Sequence, residues 1–498
     1  MMNASWTMRL AAAGLMAASG SAVAQLQWTG EESDDWFDAA NWSGGVPTAA
    51  ADSVRINTDD PNPAVIDGAA AETGVSFSVG FNSRGELSIL NGGSLVSGTS
   101  AAIGSQSAGD GRVLISGADS SWQVGSIDIG SSGSGELEIL AGGQMHILDS
   151  GVTSIGRQAN GNGSITVSGA GSRLDFAGRF WLGHTRSGQM TISDGAQVTW
   201  AGTASSMAQA ANSQGEILLT GPGSLLSGSR LIVGNGGSLG TNPGAGSLRV
   251  VDGATLEITG DGLPENNRLL IGGNSGGVGE VVVGGPSGED AEPPGELDLR
   301  GGIQFNSGAG TLVFNHSGNL DLPFPVEGPT GTNGTGLIRV ENGTTLFTGE
   351  PVDYSGSLEI DAGAVFGAGG QLGDVVNEGR LVASPDQSGT LVIDGDYIQG
   401  DNAVLEFQFS PGPALDLVEI SGEASFSGGS ITLKVLPGRY GNSPLDGVYP
   451  ILTASGGITG DLPQLEVANP NAFMLFQDGN TIFVEVFDQM FRDRFQAQ

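Results

Sequence analysis

Three histidines, His146, His184 and His316, stand isolated in a chain of 498 residues, and no two have the spacing of metal ligands. Acidic pairs are the other chemistry-bearing feature. Asp34-Asp35 and Asp59-Asp60 are the tightest pairs outside one acidic insertion, and paired carboxylates are what acid–base work on glycosidic bonds requires. Both pairs lie among turn-forming residues, which reads as solvated turns. The phrase ADSSW at Ala118 offers a serine, but counterparts at Ala170 and Pro222 make it a repeat element, and no GxSxG-like setting surrounds it. The glycine-rich stretches precede strands and contain no GxxxxGK[ST], so they are not phosphate loops. Arg84-Gly85-Glu86 also belongs to the repeat. The expectation is therefore no catalytic residue, no metal ligand and no cofactor.

The remaining chemistry-bearing group is aromatic. Trp28, Trp36, Phe37 and Trp42 fall close together in a chain with 7 tryptophans. Spaced through turn residues, they suggest a cap over the end of an array; the alternative is a platform on which sugars stack. Asn41-Trp42-Ser43 matches a glycosylation acceptor, a match that only eukaryotic secretion would make meaningful. Net charge is −36, and Lys434 is the single lysine. Such a surface repels phosphate backbones and anionic lipids, so nucleic acid is excluded as a partner. There is no cysteine. No stretch approaches twenty apolar residues, so no transmembrane helix is expected.

What positions these residues is a repeat. GELSILNGG at Gly85 returns as GELEILAGG at Gly135, then as GQMTISDGA at Gly188 and GSLRVVDGA at Gly246. A sister phrase, at Gly111, Gly163 and Gly215, alternates with it, so the unit is about 26 residues within a superrepeat of about 52. Apolar and polar residues alternate with period two, as in strands with one buried face. An apolar residue followed by glycine recurs at Val79-Gly80, Ile103-Gly104, Ile129-Gly130, Ile155-Gly156, Leu182-Gly183, Val233-Gly234 and Ile271-Gly272, with one copy missing. A unit of that size holds one rung of a parallel β-helix. Some 16 or 17 rungs at roughly 4.8 Å make a rod of about 80 Å. A β-propeller, with blades of about 40–50 residues, is the rival that the superrepeat keeps alive.

Residues 1–24 read as a secretory signal peptide, with Arg9, a short apolar run and Ala22-Val23-Ala24 before the cleavage point. Residues 25–70 form the Trp-rich cap and first strands. Residues 71–335 hold the glycine-rich repeats, interrupted at 285–296 by a loop containing Glu289, Asp290 and Glu292, which reads as a solvated excursion and a weak binding candidate. Residues 336–486 carry longer apolar strands, with Phe407, Phe409, Phe426, Leu433 and Val435 implying tighter packing. In residues 487–498, Phe487, Met490, Phe491 and Phe495 have helical spacing, so a short amphipathic helix is expected there.

Three stretches together resemble one family: the opening DWFDAANWSGGVP, the GxLxIxxGG and GxGS repeats, and the ending NEGRLVASPDQSGTLVIDGDYIQ through YPILTASGGITG. They resemble passenger domains of type V autotransporters and the related β-strand repeat proteins found beside PEP-CTERM sorting signals. The resemblance covers nearly all of residues 27–487. It implies an all-β, right-handed parallel β-helix, exported to the surface or exterior of a Gram-negative bacterium or held in its periplasm. No translocator barrel follows the passenger-like region, so a separate outer-membrane translocator is expected as a partner. The leading expectation is a non-enzymatic scaffold acting in adhesion or biofilm through a surface or glycan ligand. The alternatives are a carbohydrate-active β-helix enzyme of the lyase or hydrolase kind, whose carboxylates would meet across neighbouring rungs, and a carbohydrate-binding module using the Trp-rich N-terminus.

Overall fold

The computed structural model describes residues 25–49, 53–236, 242–259, 267–274, 276–349, 351–385, 389–409, 416–435, 447–468 and 470–487. The expected signal peptide and C-terminal helix lie outside these residues, except for Phe487. The chain winds as a parallel β-helix. Each rung of the N-terminal half lays down three strands, as in Ser126–Ile129, Ser134–Leu140 and Gln144–Ile147. Equivalent strands of successive rungs pair in parallel and build three faces. The first face runs from Gln25–Gln27 to Gly447–Ala454 in a sheet of 19 strands, of which all but the last two are parallel. That leaves 17 rung strands, or about 80 Å of rod at the usual strand spacing. The propeller rival is gone, because consecutive copies pair with each other in parallel.

Inside, like stacks on like. Leu87, Val113, Leu137, Ile165, Met190, Ile217, Leu248 and Val281 form one file along the second face, each at most 2 % exposed. Each buried side chain of this kind contributes roughly 2 kcal/mol relative to exposure. No single rung can enclose its own file, so burial requires neighbours on both sides.

The two recurrent glycines do different work. The marker glycines Gly80, Gly104, Gly130, Gly156 and Gly183 all have φ between 66° and 71°, the left-handed conformation that turns the chain off the first face. The missing copy is Met207-Ala208, where Ala208 holds the same conformation at φ 53°. The glycine that opens GELSIL is not a turn residue. Gly85, Gly111, Gly135, Gly163, Gly188 and Gly215 lie in register inside strands, buried against the preceding rung. A Cβ on Gly85 would stand 2.2 Å from the Ile56 carbonyl oxygen. Its role is close backbone approach rather than conformational freedom.

Hydrogen bonding explains the superrepeat. The phrases end in turns of different length, and the turns interlock. Ser120, Ser172 and Ser224, all 0 % exposed, come from the sister phrase. Their hydroxyl oxygens accept from the N–H of Gly92, Gly142 and Gly195 on the preceding rung, at 3.0–3.1 Å. Ser120 and Ser172 also donate to the carbonyls of Ser116 and Ser168. A serine turn satisfies a donor in a glycine turn, so the two types alternate.

The acidic insertion continues that pattern in another form. Where the next serine turn falls, the Pro293 and Pro294 carbonyls accept from Asp252 and Gly253 N–H at 3.0 and 2.9 Å. The loop is therefore tied to the rod rather than being a free excursion, although Glu289 and Asp290 remain exposed. Arg249 pairs with Glu292 at 3.0 Å, and Glu341 accepts from Ser287 and Gly288. From Ala309–Leu322 onward the second- and third-face strands of a rung merge or follow closely, one rung before the change of dialect at residue 336. Phe407, Phe409, Phe426 and Leu433 are buried here, and Val435 partly so.

Both described ends are closed. Trp28, Trp36 and Trp42 are 2 %, 0 % and 5 % exposed and pack edge-to-face, with centroids 5.1 Å and 4.7 Å apart. Trp36 continues into Phe77, and Phe77 into Trp122, joining the cap to the core. Phe37 is exposed. At the far end an antiparallel hairpin, Phe473–Asp478 and Thr481–Val486, folds onto Gly447–Ala454. Phe409 packs against Phe473 of the hairpin and Tyr449 of the strand it covers.

Candidate functional site

Side chains at outward positions of the first face decide what the rod presents. One outward file reads Arg55, Ser78, Ala102, Asp128, Ser154 and Trp181, in register. A parallel file reads Ser53, Ser76, Ser100 and Ser126. Small residues on consecutive rungs leave a depression, and larger residues at its margins make it a groove of about 540 Å³. Its floor is hydroxyl-rich, with Ser76, Ser78, Ser100, Ser126 and Ser154 among its lining. Arg157 and His184 follow successive marker glycines and form one wall, and Asp149 stands on the opposite side.

Trp181 closes one end of the groove. It is the exception among the described tryptophans: Trp28, Trp36, Trp42, Trp122 and Trp200 are all 5 % exposed or less, whereas Trp181 is partly exposed. His184 packs against it edge-on at 4.5 Å, and the Arg179 guanidinium lies 5.7 Å from its ring centre. The Ser154 hydroxyl is 3.2 Å from His184 Nδ1. Burial, with the Arg157 charge nearby, pushes the His184 pKa below its ordinary value, so the imidazole is neutral at neutral pH.

The groove brings two carboxylates of neighbouring rungs to one surface, as the enzyme alternative requires. Both are already engaged. Arg157 donates to Asp128 at 2.5 Å, and Asp149 accepts from the Gly151 N–H at 2.9 Å. The arrangement offers a ring face, hydroxyls, one guanidinium and fixed carboxylates, which suits orientation of a polar ligand.

The residues singled out by sequence lie elsewhere, apart from His184. Asp35 accepts from Phe37 N–H within its own turn, and Asp59 pairs with Arg84 at 2.6 Å. The Arg84-Gly85-Glu86 phrase is thus a rung with an outer ion pair. His146 lies 2.9 Å from Asp175 on the third face. Burial works against the Asp175 charge, yet hydrogen bonds from Arg173 and Thr199 hold its carboxyl below the usual range. His316 is 0 % exposed beneath the insertion. Gly318 N–H donates to its Nδ1, so Nε2 carries the proton and donates to the Thr345 hydroxyl at 3.0 Å. Burial lowers its pKa. The serines of ADSSW and its counterparts are the corner residues described above.

Two alternatives are set aside. Trp28, Trp36 and Trp42 cannot form a sugar platform, because their rings are buried against one another and against the first rungs. Trp28 and Trp42 spend their indole N–H groups on the Asn62 and Trp36 carbonyls. Asn41 cannot be a glycan acceptor, because its side chain is buried and bonded to Glu32, Ser33 and Asp35. The residue that sequence reasoning missed is Trp181. Aligning SFSVG, SAAIG, SIDIG, VTSIG and RFWLG puts an aromatic at an outward position only in the last, and that was the available signal.

No family model matches the chain. An uncharacterized protein, YuaQ, of Escherichia coli K12 is 25% identical over 229 residues, covering 45% of this chain and 15% of that protein. An uncharacterized lipoprotein, YdeK, of the same organism is 27% identical over 182 residues, covering 36% of this chain and 13% of that protein. The chain thus matches less than a sixth of the length of either.

Proposed function

We propose that the chain is an exported, non-enzymatic β-helical scaffold of the bacterial cell envelope or exterior that presents its first face to a partner. The carrying observation is the groove: a hydroxyl-floored depression on the first face whose two carboxylates already accept from Arg157 and Gly151. The likeness to a lipoprotein supports an envelope or exported location, as does the signal-like sequence of residues 1–24. The resemblance to autotransporter passengers supports display outside the cell, with a separate translocator and a role in adhesion or biofilm. The test is fractionation of cells producing the chain, with protease added to intact cells. Recovery at the surface or in the medium, with cleavage of the former by protease, is the expected result. Retention in the cytoplasm defeats the reading.

The observation favouring an enzyme is that Asp128 and Asp149 share one groove. Incubating the purified mature chain with a polysaccharide panel separates the two readings. Release of new reducing or unsaturated ends that is lost in Asp128→Asn would establish turnover; a scaffold gives none.

A further inference from the structure

We infer that the first-face groove binds a neutral oligosaccharide chain, seated along the rod with one sugar ring against Trp181. This deepens the scaffold reading and rests on its view of the groove as a contact surface. Three observations converge. First, Trp181 is left partly exposed in a protein that buries its other described tryptophans. An indole face is apolar and electron-rich, and it matches the C–H-lined face of a pyranose. His184 meets it in a T-shaped contact and the Arg179 guanidinium lies 5.7 Å from its ring centre, so the ring is held in place.

Second, the floor leading from Trp181 supplies hydroxyls at the rung repeat. Ser126, Ser100 and Ser76 form one row on three successive rungs, roughly 10 Å from first to last at the strand spacing, and Ser154 follows one rung on in the neighbouring file, its hydroxyl already paired with His184. Hydroxyl rows donate and accept equally, which suits sugar hydroxyls and disfavours ligands that only accept. Arg55, lying over Phe81 at 3.6 Å, is the register partner of Ser78 on the preceding rung. The groove thus runs along the rod across successive rungs and ends at Trp181.

Third, the groove carries two carboxylates against one guanidinium. Arg157 faces Asp128, and Asp149 has no lysine opposite it, in a molecule of net charge −36. An anionic polymer meets the repulsion of the whole rod. A cation site would need a convergence of acids, and among the described residues no group of three potential ligands is present. Neutral sugars satisfy the hydroxyls and ring without either penalty.

The test uses the mature chain and four probes: cellohexaose, maltohexaose, mannohexaose and, as the anionic comparison, trigalacturonate. Binding is read by calorimetry and by protection of tryptophan fluorescence from iodide. Saturable binding of at least one neutral hexaose is expected, with trigalacturonate weaker. Trp181→Ala should weaken it by about tenfold or more. Ala102→Trp places bulk on the outward floor without touching the core and should abolish it. Far-ultraviolet circular dichroism of both variants checks that the rod is intact. Loss in both variants supports the assignment. No binding of any neutral probe, equal binding of trigalacturonate, or retained binding in either folded variant overturns it. Such a failure leaves export untouched, because cell fractionation decides that separately.

Discussion

Ser172 shows how one hydroxyl can serve two rungs. It accepts from Gly142 N–H and donates to the Ser168 carbonyl, with its residue fully buried. Ser172→Ala should therefore cost about 1–3 kcal/mol, because the Gly142 donor is left without its partner. A lowered denaturant midpoint with an unchanged slope would verify this. His316 gives a pH dependence of definite sign. Its folded pKa lies below the ordinary value because of burial. The stability that depends on its neutral form is complete above about pH 6.5 and is lost as pH falls through that value toward the folded pKa. Proteolysis of the 285–296 loop should therefore accelerate on acidification below about pH 6.5, and His316→Gln should remove that step. A loop equally resistant at pH 5 and 7.5 in both proteins would refute it.

At the scale of the rung, a close-approach glycine and an outer-turn glycine predict opposite tolerance. Gly135 lies in the close-approach file, where a Cβ would stand 2.4 Å from the Gly130 nitrogen and 2.5 Å from the Ile103 carbonyl oxygen. Backbone cannot yield as a flexible side chain can. Gly135→Ala should destabilise by more than about 2 kcal/mol. Gly92 sits in an outer turn with φ 82° and its nearest neighbours at 3.9 Å or beyond. Gly92→Asn should cost less than about 1 kcal/mol, since asparagine tolerates the left-handed region. Comparison of the two thermal midpoints tests the distinction, and equal losses would refute it. The sequence showed both glycines recurring, but recurrence alone did not tell a corner from a contact. That difference lies in what the previous rung places beside the α-carbon.

Across the whole molecule, stability is close to one-dimensional, since each rung touches only its neighbours. The ends therefore matter most. Trp36 is 0 % exposed and joins the cap rings to Phe77 in Ser76–Val79, the third strand of the first face. Trp36→Ala should cost about 3–5 kcal/mol, and the loss should be local. Amide exchange should rise in Ser53–Ile56 and Ser76–Val79 and stay unchanged near Phe407 and Phe426. Uniform acceleration along the rod would contradict a stack of nearest-neighbour contacts. The described C-terminal end is covered differently, by an antiparallel hairpin whose Phe473 packs on Phe409.

The sequence by itself determined the architecture. Period-two alternation and a 26-residue return are local properties, and stacking is the way such short faces become buried. It also marked the Trp-rich segment as a cap, because rings scattered through turns cannot line one flat strand face. Only the tertiary structure decided the rest. The alternation of GELSILNGG with its sister phrase acquired a cause when Ser120 met Gly92 across 28 residues. The groove depends on four rungs placing small residues side by side, at positions separated by a full turn of chain. His184 was visible as a lone histidine, but Trp181, Arg157 and Asp128 became neighbours only through winding. A rung repeat fixes which residues align, whereas the side chains around each position decide whether that alignment makes a wall, a floor or a contact.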